Sequence, residues 1–219
     1  MKNKRPAKSF NNLAAGSKPI PLKKALKIFD QLADMESIAF GYPYNGCEAR
    51  AYILCRRMTE MGLTPGKAWA FEGKRKLCVE LSGKKYKWWF HVAPVLSIRL
   101  PDKTVQSMVI DPGLFDGPVL LKEWGDIMKA PPEKLQVVPP GVAPEGWSGD
   151  YNMRISSSSY EADKDASQKM RNYLAWQNTP PRPVFPSLIR RQMPKTQGKT
   201  WITINTPDTK KKNKPKLKR

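Results

Sequence analysis

Histidine is almost missing from this chain: His91 is the one imidazole in 219 residues. Acidic residues are scarce, 19 against 39 Lys/Arg, and cysteine occurs three times. Cys47, Cys55 and Cys78 cannot build a full disulfide framework, since at least one must stay unpaired. That suits a reducing compartment or a reactive thiol without separating the two. No apolar run reaches the roughly 20 residues of a transmembrane helix. No secretory apolar segment follows the basic N-terminus, because Pro6, Asn11, Asn12, Gly16 and Pro19 interrupt it. The expectation is a soluble protein, its compartment and any export route left open.

The net charge of +20 changes meaning once it is located. Residues 1–28 hold eight Lys/Arg and no acid, and residues 195–219 hold nine against one Asp, so residues 29–194 keep only about +4. The basicity belongs to the ends, where such runs are solvated and can meet a polyanion or an acidic surface. Residues 1–20 read as a disordered basic arm, 21–190 as one catalytic domain and 191–219 as a basic tail.

Pro21 is placed to open a helix through about Ala33, with Leu22, Ala25, Leu26, Ile28, Phe29 and Leu32 on its apolar face. Residues 41–46 form a turn-rich loop, and a second helix runs from about Cys47 to Met61 with Gly62 as its C-cap. Ala51, Leu54, Cys55 and Met58 share one face of it, while Glu48, Arg56, Arg57 and Glu60 are expected to reach water. After Pro65 the period becomes that of strands. Lys67–Phe71 and Leu77–Leu81 suggest a hairpin, Lys87–Leu100 one long strand, and Val105–Asp111 its return after Pro101-Asp102-Lys103. Pro118 opens a helix to Met128 or Lys129, residues 130–157 read as an extended cover, and Ser158 with Glu161 has capping-box spacing before a helix to about Gln177. Pro180–Pro186 then reads as extended. The fold class is α+β, with the cysteine helix packed on an antiparallel sheet.

Three residues at three structural boundaries carry the chemistry. A helix N-terminus favours a thiolate through its unpaired N–H groups and dipole, and Cys47 stands there. Cys55, on the apolar face, and Cys78, inside a strand pattern, read as structural. His91 fits either a satisfied core position or an imidazole base, and no other base of that kind exists in the chain. A three-residue loop at 101–103 makes strand partners sum to 204, so Asp111 faces Ala93 and His91 is its diagonal neighbour on the same sheet face. A two- or four-residue loop would put the two on opposite faces. By the same alternation Trp89 shares the face of His91 and Trp88 takes the other.

At these positions the chain resembles bacterial protein-glutaminase, a protein-deamidating enzyme. The matching pieces are Ser37-Ile38-Ala39-Phe40, Tyr42-Pro43, Gly46-Cys47 with Ala49-Arg50-Ala51, Tyr86 to Pro94 around His91, and Ile110-Asp111-Pro112 followed by Leu114-Phe115 and Gly117-Pro118-Val119. They keep the family's order and closely similar spacing over roughly residues 37–125. The resemblance implies a papain- and transglutaminase-like core with Cys47 as nucleophile, His91 as acid/base and Asp111 as orienting carboxylate. It implies no cofactor and no metal. The secreted family member is cysteine-rich, which this chain is not, and the resemblance identifies no counterpart to the basic ends or to residues 130–219.

The expected reaction is deamidation of glutamine side chains in proteins or peptides through a Cys47 thioester. Tyr42, Tyr44, Trp88 and Trp89 are the expected walls of a substrate slot. Transglutamination and peptide cleavage use the same acyl-enzyme and stay open as alternatives. A basic nucleic-acid-binding protein is the rival from another class, and a toxin-type effector held by an immunity protein is a third reading that no residue decides.

Overall fold

The computed structural model describes residues 18–81, 83–139, 142–147 and 160–177. The first seventeen residues, the capping box at Ser158, the Pro180–Pro186 stretch and the tail at 191–219 lie outside the described residues. Helix α1 (Leu22–Ala33) starts after Pro21 and buries Ala25, Ile28, Phe29 and Leu32, while Leu26 stays exposed. Helix α2 (Cys47–Glu60) starts at Gly46, whose φ of 86° is a conformation that side chains resist. Helix α3 (Leu121–Ile127) and helix α4 (Tyr160–Gln177) complete the helical set among the described residues.

The main sheet is built around one long strand. In chain order the strands are β1 (Ile20–Pro21), β2 (Gly66–Phe71), β3 (Leu77–Leu81), β4 (Lys84–Trp88), β5 (Phe90–Arg99), β6 (Val105–Val109), β7 (Val119–Leu120) and β8 (Leu135–Val138). The sheet order is β7-β6-β5-β2-β8, all antiparallel, with β1 parallel to the end of β5. Ile20, expected to belong to the arm, therefore sits in the sheet opposite Ile98.

Alternation along β5 sorts the core into two layers. Leu96 and Ile98 pack with α1, α2 and α4 residues on one face, and Ala93 and Val95 pack with Trp124 of α3 on the other. The β5–β6 ladder runs from Val95↔Val109 to Arg99↔Val105, and the Ile110 N–H donates to Pro94 O at 2.8 Å. Every pair sums to 204, as a three-residue loop requires, and Lys103 closes that loop at φ 70°.

Three expectations need correction. β2 and β3 do not pair; β3 pairs with β4 across a tight turn at Gly83 (φ 74°), making a separate two-stranded sheet. The long apolar run is not one strand, because a bend at Trp89 divides β4 from β5. Part of the extended cover is strand β8, whose residues pair with Lys67 through Ala70 of β2.

Candidate active site

Cys47 owes its place to a chain reversal. Asn45 Oδ1 accepts from the Gly46 N–H at 2.8 Å, and the Arg50 guanidinium donates to the carbonyls of Ala39, Tyr42 and Asn45 at 3.2–3.3 Å. One cation thus gathers three loop carbonyls and fixes the entry to α2. Cys47 is buried and packs with Ala51, Trp69 and Val92. The Val92 amide N–H reaches its sulfur, so the thiol meets β5 at the residue that follows His91.

His91 and Asp111 leave the sheet on its α3 side. His91 Nε2 and Asp111 Oδ2 lie 2.8 Å apart, with both side chains buried. The Trp124 indole N–H donates to the same Oδ2 at 2.9 Å. An indole nitrogen only donates, so the carboxylate accepts from it; ionised Asp111 also accepts from Nε2, leaving Nδ1 as the ring's proton acceptor. Burial alone would raise the Asp111 pKa. The charge on His91 and the bonds from His91 and Trp124, with Arg50 further off, outweigh it and hold the carboxyl below its usual range.

The thiol goes the other way. Burial, then the neighbouring Glu48 charge, push the Cys47 pKa up, against opposing effects of Arg50 and the Val92 N–H. Burial and the Glu48 charge thus outweigh the thiolate-favouring effect of the helix start and favour the neutral thiol. Cys55 donates to Gly66 O at 3.7 Å and is pushed up to about 12 by burial, as suits a structural thiol.

The aromatic expectations divide. The bend at Trp89 resets the alternation, so Trp88 stands beside His91, rings 5.1 Å apart and 20° from parallel. Its indole N–H donates to Pro43 O at 2.7 Å, tying the cysteine loop to the histidine strand. Trp89 instead lies 66% exposed under the Lys76 ammonium. Tyr42 stacks on Tyr173 of α4 at 4.3 Å, and Tyr44, more than half exposed, meets Tyr86 and Trp176 edge-on.

Sequence reasoning missed Trp124, Arg50 and Glu48. Trp124 sits on a helix thirteen residues past Asp111, and no local pattern marks its indole as a partner. Glu48, expected in water, is buried because Lys169 of α4 pairs with it at 3.1 Å. Among the described residues no three His, Cys, Asp or Glu side chains group as a metal site would need, and no helix is long and apolar enough to cross a membrane.

A family model described as glutaminase matches residues 25–128, a little under half of the chain. The fold is similar to the solution structure of protein-glutaminase from Chryseobacterium proteolyticum, with a TM-score of 0.57 and 19% identity over 77% of this chain and 96% of that one. A crystal structure of protein-glutaminase gives a TM-score of 0.55 and 20% identity, covering 75% and 94%. A crystal structure of a pro-protein-glutaminase mutant gives 0.52 and 23%, covering 61% of this chain and 52% of that one, so the chain spans about half of that relative's length. No curated protein matches the chain. Helix α4, with Lys169, Tyr173 and Trp176, lies outside the residues that the family model matches.

Proposed function

We propose that the chain, whose residues 25–128 match a family model described as glutaminase, deamidates glutamine side chains of proteins or peptides, with Cys47 as nucleophile, His91 as acid/base and Asp111 as the orienting carboxylate. The observation that carries the reading is the 2.8 Å His91–Asp111 contact, made on the strand whose next amide meets the Cys47 sulfur.

In this reaction the Cys47 proton passes to His91 Nδ1 as sulfur attacks the carboxamide carbon. The carbonyl π bond opens to an oxyanion, which the N–H groups at the start of α2 are placed to receive. When the oxyanion collapses, the C–N bond breaks and His91 returns the proton to the leaving group, which departs as ammonia. Water then gives a proton to His91 and adds to the thioester; the C–S bond breaks, leaving glutamate, and Cys47 regains its proton. Asp111 fixes Nε2–H toward itself and stabilises the transient imidazolium. Trp88 and Tyr44 border the approach, and the basic ends favour substrates or surfaces rich in acid.

The test incubates the full chain with a glutamine-rich protein and follows ammonia, the ~1 Da mass gain per site that amide-to-acid conversion requires, crosslinks and fragments. Ammonia without crosslinks or cleavage is expected, reduced at least about 1,000-fold in Cys47→Ala, as for a nucleophile that acts as one unit with its base. Undiminished ammonia release by that variant overturns the assignment. Crosslinks or new termini would move it to transglutamination or proteolysis.

A further inference from the structure

Helix α4 grips the nucleophile from both sides. Before Cys47, Tyr173 stacks on Tyr42 and lies against Gly46; a Cβ there would fall 2.4 Å from the Tyr173 ring. After Cys47, Lys169 Nζ pairs with Glu48 Oε1 at 3.1 Å. The other oxygen, Glu48 Oε2, lies 3.6 Å from the Cys47 sulfur. An ion-paired carboxylate only accepts, so the S–H donates to it. The run ammonium, carboxylate, thiol is almost enclosed: Glu48 is 4% exposed and the Lys169 side chain 20%.

From this geometry we infer that Glu48, clamped by Lys169, is a positioning residue that holds the Cys47 hydrogen and keeps the nucleophile at rest, so that helix α4 sets the reactivity of the thiol. The inference rests on Cys47 being the reactive cysteine. The mechanism gives Glu48 no step; its charge beside the sulfur opposes the thiolate, and Lys169 partly offsets that charge. The other groups acting on the sulfur are Arg50 from α2 and the Val92 N–H of β5, the residue next to His91. β2 presents Trp69 there, and its Lys67 lies over the Tyr52 ring instead.

The test is alkylation of the full chain by iodoacetamide between about pH 6 and 9, read by mass spectrometry on the Cys47 peptide so that Cys55 and Cys78 are counted apart. Glu48→Gln keeps the shape and removes the charge, and is expected to alkylate about tenfold faster, the equivalent of one pKa unit. Lys169→Met is expected to slow alkylation in the parent chain and to have no effect in the Glu48→Gln background. Lys169→Arg should stay within about twofold of the parent, since it keeps the cation that opposes the carboxylate. If Lys169→Met unfolds, the Glu48→Gln and Lys169→Arg rates decide. An unchanged rate in Glu48→Gln, or an equal Lys169→Met effect in both backgrounds, overturns the inference. Alkylation needs no glutamine, so a chain that released no ammonia would sink the proposed activity and leave this test readable.

Discussion

One oxygen atom organises the site at the scale of single residues. Asp111 Oδ2 takes both His91 Nε2 at 2.8 Å and the Trp124 indole at 2.9 Å. Two donors on one buried oxygen lower the cost of a carboxylate in an apolar layer, and the second donor comes from the fully buried Trp124 of α3. Trp124→Phe tests this by removing the donor while keeping an aromatic ring in the layer. Loss of one bond to a charged group is expected to cost about 1.5–3 kcal/mol of stability by urea unfolding. The carboxyl pKa then rises, so the acid limb of the ammonia-release profile should move to higher pH, while activity near pH 8 falls less than in Asp111→Asn. A Trp124→Phe enzyme with an unmoved acid limb would reduce the indole to packing.

At the scale of elements, the loop at 101–103 decides whether the site exists. Lys103 accepts a left-handed φ of 70° so that β6 returns in the odd-loop register, and that register puts Asp111 on the face of His91. Lys103→Gly relieves the φ and should keep full activity. Deleting Asp102 makes the loop even and turns Asp111 to the opposite face. Ammonia release should then fall at least about 100-fold, as catalytic positioning demands, even in preparations whose circular dichroism stays native. Retained activity in the deletion would mean the register slips to rescue the pair.

The same element shows why part of the fold could be read from sequence. Hairpin register depends on loop length and alternation, both local, so the His91–Asp111 pairing was derivable before any coordinates. The start of α2 was local too, fixed by the glycine and turn residues before Cys47. The failures were non-local. Nothing between Phe71 and Leu77 reveals that β3 pairs forward with β4 rather than back with β2. The bend at Trp89 interrupts an unbroken aromatic run and reverses the sides of Trp88 and Trp89. Glu48 looked solvated because Lys169, which buries it, comes 121 residues later.

For the whole molecule the dominant quantities are net charge and the ionisation of the buried Asp111 carboxylate. Acidification protonates the 19 Asp/Glu and leaves 39 Lys/Arg and a charged histidine, so self-repulsion grows. Asp111 adds a separate contribution. Its folded pKa lies below the unfolded value of about 3.9, so its stabilisation is complete above that pH and is lost as pH falls through the folded value. The two effects differ in their response to salt. Repulsion among exposed charges is screened once the Debye length drops to a few ångströms near 1 M salt, whereas a buried hydrogen-bonded pair is screened much less. Urea unfolding of the parent and Asp111→Asn at pH 7, 4 and 2.5, in low and high salt, separates them. Salt should recover part of the acid loss equally in both proteins. The stability gap between them should be widest at pH 7 and close below about pH 4 at either salt. A gap that persisted unchanged to pH 2.5 would show that Asp111 holds its place by packing alone, and the electrostatic account of the dyad would fail with it.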